Sequence, residues 1–311
     1  MTPDRTGRTL LAAAVFVAAL WIAALPAGAA YAPENAVPEE AGAARIGGPT
    51  VVAVGDVACA PADTSHPCRQ AATAVLAASY APSHVLALGD VQYEVGSLTA
   101  FQSSYDRSWG ELKSITKPVP GNHEYKTSGA SGYYSYFSNQ QPGAPGYYAF
   151  NVGTWRVYAL NSNCTEIRCR KQVRWLERDM RNHRGDCSAI MMHHPRFSSG
   201  GEHGSSTVSR RFWRVAYQRH ADVALAGHDH DYERFARLDP SGDRANRGMV
   251  SFVSGAGGKS LYPFGPIAPG SLVRNNDAFG VLALTLDKGS FGYEYKTIDG
   301  RVVDSGVGEC R

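Results

Sequence analysis

The stretch ADVALAGHDH, from Ala221 to His230, joins an apolar run to two histidines that are one residue apart. The apolar part predicts a buried strand, and Gly227 predicts a tight turn where that strand ends. Side chains that alternate along a strand would point His228 and His230 apart, but a turn lets both imidazoles converge on one small volume. The alternative is a polar loop with two solvated histidines, because a single His-x-His motif is a weak signal. The other motifs of the chain favour the first interpretation.

An apolar run followed by a residue able to bind a metal occurs five times along the chain. In chain order, these residues are Asp56, Asp90, Asn122, His193, and His228 with His230. In α/β sheets, ligands bind beyond the carboxyl ends of the strands, where residues distant in sequence can meet. Carboxylate, amide oxygen and imidazole together suit first-row divalent or trivalent metals, and two ions better than one. Each motif alone is mostly structural, but five in this order favour a metal site.

Helical stretches separate the apolar runs and predict an α/β fold. The predicted helices cover residues 68–80, 97–113, 171–183 and 208–219, and the predicted strands include 50–54, 84–88 and 188–192. Continuous Val, Leu and Ala runs of this kind suit strands that are buried on both faces. Residues 147–160 predict a β-hairpin, and residues 291–307 predict a closing one. Residues 126–148 are rich in Gly, Ser, Tyr and Pro and predict a long surface loop that could border the site.

The composition is that of a globular protein with a sizeable core. Of 311 residues, 43% are hydrophobic and 19% are charged. The net charge of +3 comes without a long single-sign run, so it indicates neither a nucleic-acid partner nor a membrane partner. No internal repeat and no linker after residue 48 is visible, so residues 49–311 are predicted to form one catalytic domain. Nothing in the composition indicates an oligomeric state.

Residues 1–30 have the pattern of a secretory signal peptide. Arg5 and Arg8 precede an apolar run of 16 residues over positions 10–25. Ala27-Gly28-Ala29 then offers a small-residue cleavage site. An uncleaved membrane anchor is the alternative, but a membrane span typically needs about 20 residues. Residues 31–48 are rich in Ala, Pro, Gly and Glu and predict a flexible leader. The expected location is therefore extracellular, with no stable membrane insertion after cleavage.

Six cysteines, an even number, indicate disulfides in an exported chain. Loop closure favours partners that are close in sequence, which points to Cys59–Cys68 and Cys164–Cys169. The remaining pair, Cys187–Cys310, would tie the C-terminal region to the core. Six cysteines allow 15 connectivities, so the sequence leaves the other pairings open. A thiolate metal site is a further alternative, although the cysteines lie away from the histidine motifs and form no Cys-x-x-Cys pair.

The order of the motifs over residues 50–235 resembles that of the calcineurin-like metallophosphoesterases. It reads Gly-Asp, Gly-Asp-x-x-Tyr, Gly-Asn-His-Glu, His-x-Pro and Gly-His-x-His. Three details make it most similar to the purple acid phosphatases. They are Ala58, where many relatives carry a histidine two residues after Asp56; Tyr93, three residues after Asp90; and Glu202-His203-Gly204 after the His-x-Pro motif. Residues 57–60 and 231–234 depart from that pattern, which leaves the substrate preference open.

The resemblance implies a four-layer α/β/β/α sandwich and a centre of two metal ions. By similarity, the first ion would take Asp56, Tyr93 and His230, the second would take Asn122, His193 and His228, and Asp90 would bridge them. A phenolate at Tyr93 is a hard oxygen donor and implies Fe(III) in the first position, with a divalent Fe, Zn or Mn ion in the second. The alternative for Tyr93 is a rim tyrosine that hydrogen-bonds phosphate or packs against Trp109.

Two histidines are candidates for residues that act directly on the substrate. In the mechanism that the resemblance implies, a metal-bound hydroxide attacks phosphorus and the ester oxygen leaves opposite to it. A protonated imidazole near that oxygen would lower the barrier, typically by ~10²–10⁴-fold in rate. His203 is the preferred acid for its Glu-His-Gly context, and His123 is the second candidate or a group that orients phosphate. The alternative for His203 is a solvated loop histidine. Strand alternation predicts that His194, which adjoins the proposed ligand His193, points away from the site.

The sequence therefore predicts a secreted, metal-dependent phosphatase that hydrolyses small phosphomonoesters. A phosphodiesterase or nucleotidase with the same centre is the nearest alternative, and the sequence does not separate the two. A non-catalytic phosphate- or metal-binding protein is a third hypothesis. Such a protein should have lost at least one metal ligand, but none of the seven is missing.

Overall fold

Strand β1 (Thr50–Val54) is buried on both of its faces in the computed structural model. Val51 and Ala53 belong to a core that lies between two sheets. Val52 and Val54 belong to a second core that lies under helices. This double burial explains why the run is apolar at every position rather than at every second one.

The strands of the described residues form two sheets. In chain order they are β1, β2 (His84–Ala87), β3 (Thr116–Pro118), β4 (Tyr148–Val152), β5 (Trp155–Ala159), β6 (Ser188–Met191), β7 (Val223–Ala226), β8 (Tyr232–Leu238), β9 (Met249–Ser254), β10 (Ser271–Asn275), β11 (Gly280–Asp287), β12 (Ser290–Thr297) and β13 (Val302–Glu309). The first sheet has the order β13-β12-β11-β1-β2-β3, and the second has the order β10-β8-β9-β7-β6-β5-β4. Both predicted hairpins, β4–β5 and β12–β13, are confirmed.

Parallel pairing brings the carboxyl ends of several strands to one edge of each sheet. In the first sheet β1, β2 and β3 run parallel to one another. In the second sheet the same holds for β5, β6, β7 and β9. The segments that follow β1, β2, β3, β6 and β7 carry all seven predicted metal-binding residues. The topology therefore places these residues where ligands bind in α/β proteins.

Helical segments cover the outer faces of both sheets. They are α1 (Gln70–Ser79), α2 (Leu98–Ala100), a π turn (Phe101–Tyr105), α3 (Asp106–Trp109), 3₁₀ turns (Gly110–Ile115, Glu124–Lys126 and Ser128–Ala130), α4 (Ser131–Tyr136), α5 (Cys169–Asn182) and α6 (Arg210–Gln218). Ala77, Trp109 and Tyr133 pack from α1, α3 and α4 against the first sheet. Leu176 and Phe212 pack from α5 and α6 against the second. The predicted four-layer α/β/β/α arrangement is confirmed.

The prediction of a surface loop over residues 126–148 is wrong in its middle part. Residues 131–136 form α4, and Tyr133 and Phe137 are fully buried in the core against the first sheet. The Tyr133 hydroxyl donates a hydrogen bond of 3.1 Å to the Pro118 carbonyl. The Ser and Gly residues of α4 are typical of loops and have weak helix propensity. The helix forms because its buried aromatic side chains pack against the core. Tyr133 is therefore a core residue and does not line the site.

All three predicted disulfides are formed. They are Cys59–Cys68, Cys164–Cys169 and Cys187–Cys310, and no free cysteine remains among the residues that the structure describes. A thiolate metal site is thereby excluded for these six residues. Cys187 directly precedes β6 and Cys310 directly follows β13, so the third bond joins the two sheets.

The structure describes residues 47–63, 67–185 and 187–311. The predicted signal peptide and nearly all of the predicted leader lie outside these residues. Within the described part of the chain, no helix has the length and apolar character needed to cross a bilayer.

Candidate metal centre

Four residues that follow parallel strands meet at one end of the two sheets. They are Asp56 after β1, Asp90 after β2, His193 after β6 and His228 after β7. Asp56, Asp90 and His228 have positive φ angles of 60°, 48° and 76°. A left-handed backbone costs a residue with a Cβ atom roughly 1–2 kcal/mol. Such strain persists where surrounding contacts hold it, and it is typical of functional sites.

Glycines allow the turns of this region to approach each other closely. A Cβ atom on Gly121 would lie 2.1 Å from Asp90 Oδ1. A Cβ atom on Gly227 would lie 2.6 Å from Asp56 Oδ2. Both distances are too short for non-bonded atoms, so only glycine fits at these positions. Each of these two glycines therefore lets its turn lie against the aspartate of another motif.

Asp56, Tyr93 and His230 form a first donor set. Tyr93 Oη lies 2.7 Å from Asp56 Oδ1 and 2.9 Å from His230 Nε2. His230 Nε2 lies 3.5 Å from Asp56 Oδ1. The three side chains are almost completely buried. Oxygen and nitrogen atoms from three separate chain segments thus surround one small volume.

Asn122, His193 and His228 form a second donor set. His193 Nε2 lies 3.1 Å from Asn122 Oδ1 and 3.0 Å from His228 Nδ1. Asn122 comes from the loop after β3, whereas the two histidines come from the other sheet. This set therefore spans both sheets, and it assembles only when they are packed together.

One oxygen atom of Asp90 joins the two donor sets. Asp90 Oδ2 lies 3.3 Å from Tyr93 Oη in the first set and 3.1 Å from His193 Nε2 in the second. Metal–ligand bonds of about 2.0–2.2 Å place neighbouring ligand atoms about 3 Å apart, which is close to the spacing in both sets. The ligand atoms of Asp90, His193 and His228 also lie within 4.8 Å of one another. The chemistry and spacing of these side chains therefore fit two metal ions.

Burial and neighbouring charges shift the pKa values of three donor groups. Burial, and then the charges of Asp56 and Asp90, raise the pKa of the Tyr93 hydroxyl well above its ordinary value. Burial alone would lower the pKa of His193, but the Asp90 carboxylate raises it to about 9. Burial, followed by the charge of His193, lowers the pKa of His228. The protein alone thus keeps Tyr93 protonated, and a metal ion must compete with that proton.

Hydrogen bonds on the far side of two histidines fix the orientation of their rings. His193 Nδ1 lies 2.9 Å from the Leu88 carbonyl oxygen, so Nδ1–H donates there and Nε2 faces the site. His230 Nδ1 lies 2.8 Å from Ser260 Oγ, and its ring stacks on Tyr262 with centroids 3.9 Å apart. Such outer contacts orient metal ligands and tune their basicity. Sequence reasoning missed Ser260 and Tyr262, which belong to no motif.

Glu124 organises two loops of the centre and was also missed as a functional residue. Its Oε2 accepts hydrogen bonds from the backbone N–H groups of Asp90, at 2.9 Å, and Gly121, at 2.7 Å. Its Oε1 accepts one from the Val91 N–H at 3.0 Å. Burial and the charge of Asp90 raise the pKa of Glu124 to about 8. The Gly-Asn-His-Glu motif thus supplies both a candidate ligand and a buried acid that positions the bridging residue.

His203 lies over the second donor set. Its ring stacks on His228 with centroids 4.0 Å apart, and the residue is exposed. Asp229 holds its loop, accepting hydrogen bonds from the His203 N–H at 3.2 Å, the Gly204 N–H at 3.1 Å and the Ser198 hydroxyl at 2.6 Å. The middle residue of His-x-His is therefore a buried loop support, a role that the motif does not reveal.

His123 contacts the first donor set, and His194 contacts the second. His123 Nδ1 lies 2.8 Å from the Glu94 carbonyl oxygen, and its ring packs against Tyr93 with centroids 4.2 Å apart. The His194 ring lies 4.5 Å from that of His228, because β6 ends at Met191 and strand alternation no longer applies. The prediction that His194 points away from the site is therefore wrong. All nine predicted site residues lie in this one region.

Two curated proteins are similar to parts of the chain. Probable inactive purple acid phosphatase 1 of Arabidopsis thaliana is 38% identical over 96 residues, which cover 27% of this chain and 16% of that protein. An uncharacterized protein of Mycobacterium tuberculosis is 27% identical over 185 residues, which cover 46% of this chain and 35% of that protein. The matches thus span well under half the length of these relatives.

Solved structures share the fold. Purple acid phosphatase PPD1 from yellow lupin (Lupinus luteus) seeds matches with a TM-score of 0.67 and 21% identity, covering 83% of this chain and 53% of that one. A dimetal phosphatase from Danio rerio matches with a TM-score of 0.55 and 13% identity, covering 84% of this chain and 99% of that one. At these identities the likeness shows the fold alone.

The sequence profile of the calcineurin-like phosphoesterases matches residues 49–232. This range is more than half of the chain, and it contains every motif from Gly55-Asp56 to His228-Asp229-His230. Together with the two-sheet fold and its likeness to purple acid phosphatase, the match shows that the chain belongs to the calcineurin-like phosphoesterase family.

Proposed function

We propose that this protein is a secreted phosphatase that hydrolyses phosphomonoesters of small molecules with two bound metal ions. One observation carries the proposal: two sets of donor atoms share the single oxygen Asp90 Oδ2, at 3.3 and 3.1 Å. A shared carboxylate can bridge two ions that lie about 3.5–4 Å apart. The family of the chain and its phosphatase structural neighbours support the same reading.

In this proposal each donor set holds one ion. Asp56, Tyr93 and His230 hold the first ion, Asn122, His193 and His228 hold the second, and Asp90 bridges them. A phenolate donor at Tyr93 favours Fe(III) in the first position, with divalent Fe, Zn or Mn in the second. When bound, the two ions supply positive charge for the phosphate and the activation of water.

Two histidines act on the substrate directly in this proposal. His203 donates a proton to the leaving ester oxygen, since it is exposed and stacks on His228 at 4.0 Å. His123 orients the phosphate, since its Nε2 lies 4.0 Å from Asp90 Oδ2 and its ring is held between the Glu94 carbonyl and Tyr93. Both rings thus lie beside the two donor sets without belonging to either.

Metal analysis of the purified protein, combined with a panel of aryl phosphate mono- and diesters over a range of pH, tests the proposal. We expect two metal ions per chain and faster hydrolysis of monoesters than of diesters. Faster diester hydrolysis would assign the centre to a phosphodiesterase or nucleotidase. Two bound metal ions with no hydrolysis of any ester would contradict catalysis and favour a binding protein.

Export of the protein is part of the proposal. Three disulfides in the described residues are compatible with an oxidising compartment. We infer that residues 1–30 are removed and that the catalytic domain covers residues 49–311. N-terminal sequencing of protein recovered from the culture medium should find a start near residue 30. Recovery in a membrane fraction with an intact N-terminus would instead favour the uncleaved anchor.

A further inference from the structure

A cavity of about 560 Å³ lies at the N-terminal end of α5. Its cationic lining residues are Arg168, Arg170, Lys171, Arg174 and Arg211. The lining contains no acidic side chain and none of the seven proposed metal ligands. Four of the cations come from the start of α5 and the segment before it, whereas Arg211 comes from α6. Two helices therefore direct positive charge into one concave space.

The five cations have no acidic partner within the described residues, since none of them forms an ion pair or a side-chain hydrogen bond there. The C-terminal half of α5 is different. There Asp179 pairs with Arg156 at 3.0 Å, and Glu177 pairs with Arg219 at 2.9 Å. The acidic residues of α5 thus lie at its C-terminal end, and the positive charge at the cavity end is not compensated.

The positions of these cations are also unfavourable in the electric field of the helix dipole. The start of α5 has no acidic residue in its first turn and no side-chain cap on its N–H groups. Positive side chains are unfavourable near the positive end of a helix dipole. An anion in the cavity would remove this penalty as well as the repulsion among the cations. The site is defined by the cavity and the charges of two helices, and the helix end only adds to it.

The backbone beside the cavity is held in place before any ligand binds. Cys164–Cys169 ties the preceding segment to the first residue of α5. The buried Gln172 side chain donates to the Asn161 carbonyl at 2.8 Å and accepts from the Asn161 N–H at 2.8 Å. A fixed frame lowers the entropy that binding would otherwise cost.

We propose that this cavity binds a small oligoanion that carries at least two phosphate groups. Arginine presents planar forks of donors that match phosphate oxygens, and four of the five cations are arginines. A single phosphate would leave most of the positive charge uncompensated. The inference is independent of the proposed metal centre, whose ligands line no part of this cavity.

Calorimetric titration of the metal-loaded, full-length protein with inorganic tripolyphosphate tests the inference. The double variant Arg174→Glu/Arg211→Glu should weaken binding at this cavity by at least about ten-fold, and salt should weaken the wild-type interaction. The matched control is Arg178→Glu, which changes an exposed arginine one turn further along α5, outside the cavity. We expect the control to change the dissociation constant by less than about two-fold.

Binding of tripolyphosphate at the metal centre is measured separately, as inhibition of aryl phosphate hydrolysis. The inhibition constant and kcat/KM should be the same in the wild type and the double variant. Wild-type affinity in the double variant, or an equal loss in Arg178→Glu, would overturn the inference. Thermal melting shows whether each variant is folded. If charge reversal prevents folding, the neutral double variant Arg174→Gln/Arg211→Gln replaces it in the same titration.

Discussion

The two donor sets of the centre differ in their access to solvent. Asp56, Tyr93 and His230 are 0%, 2% and 2% exposed, and Tyr262 covers the His230 ring. In the second set His193 is buried, but Asn122 and His228 are partly exposed. The first set is thus a closed half of the centre, and the second is an open half that borders His203 and His194.

In the proposed function, this difference would assign retention of a metal ion to the closed half and contact with the substrate to the open half. A closed set limits water access and exchange, which suits an ion that stays bound. An open set can accept a phosphate oxygen and a leaving group from solvent. Asp90 belongs to both halves, so the halves can be tested together and then one at a time.

The largest effect is expected from Asp90→Asn, which removes the charge shared by both halves. Turnover should fall by more than the ~10²–10⁴-fold that loss of a proton-transfer group costs, because both ions are loosened at once. The measurements are kcat with an aryl phosphate and the number of metal ions per chain. A variant with two metal ions and near-normal turnover would exclude the bridging role.

His203→Ala changes only the open half. Alkyl phosphates, whose leaving groups need a proton, should be hydrolysed ~10²-fold more slowly or worse, whereas p-nitrophenyl phosphate should lose less than about ten-fold. Metal content should not change. His220→Asn, at an exposed histidine in α6's trailing turn, is the matched control and should show neither effect. Equal losses across the leaving groups would argue that His203 only positions the substrate.

Tyr93→Phe changes only the closed half. Iron-loaded wild-type protein should be coloured, because phenolate bound to Fe(III) gives a visible charge-transfer band, and the variant should be colourless. Turnover should fall by roughly 10–100-fold, less than in Asp90→Asn, because the other ligands remain. Tyr105→Phe, at another fully buried tyrosine, should keep the colour. A colourless wild type with stoichiometric Fe(III) would refute the assignment of Tyr93 as a ligand.

The smallest effect is expected from Asp229→Asn, which acts on the open half through the loop of His203. An amide can accept only part of the hydrogen bonds from Ser198, His203 and Gly204, so alkyl phosphate turnover should fall by about ten-fold. Metal content and p-nitrophenyl phosphate turnover should stay close to wild type. Asp231→Asn is the control, since the buried Asp231 carboxyl has no hydrogen-bond partner among the described residues. The same leaving-group dependence in both variants would contradict a specific role for Asp229.

Local sequence patterns predicted the parts of the fold that local forces determine. The run at residues 50–54, the hairpin at 147–160 and the strand before His228 are each specified by unbroken apolar or alternating residues and by turn chemistry. The order of the motifs then predicted which side chains would meet. Whether these side chains bind metal ions remains a prediction.

The features that the sequence did not predict depend on partners that are distant in sequence. Glu124 and Asp229 act by accepting backbone N–H groups of other loops, and no local pattern specifies such a partner. The Gly, Ser and Tyr composition of α4 does not predict a helix. The helix forms because burial of Tyr133 outweighs this weak helix propensity. His194 was misplaced because alternation was extended beyond the end of its strand.

The pairing of β1 with β11 has a consequence for the order in which the chain folds. Thr50 lies opposite Thr285, which is 235 residues further along the sequence. Contacts of such long separation form slowly. Until β11 arrives, β1 is an apolar edge with unpaired backbone groups, which is a template for association with other chains. The strand that leads into Asp56 therefore stays open to association with other chains until β11 has been made and has paired with it.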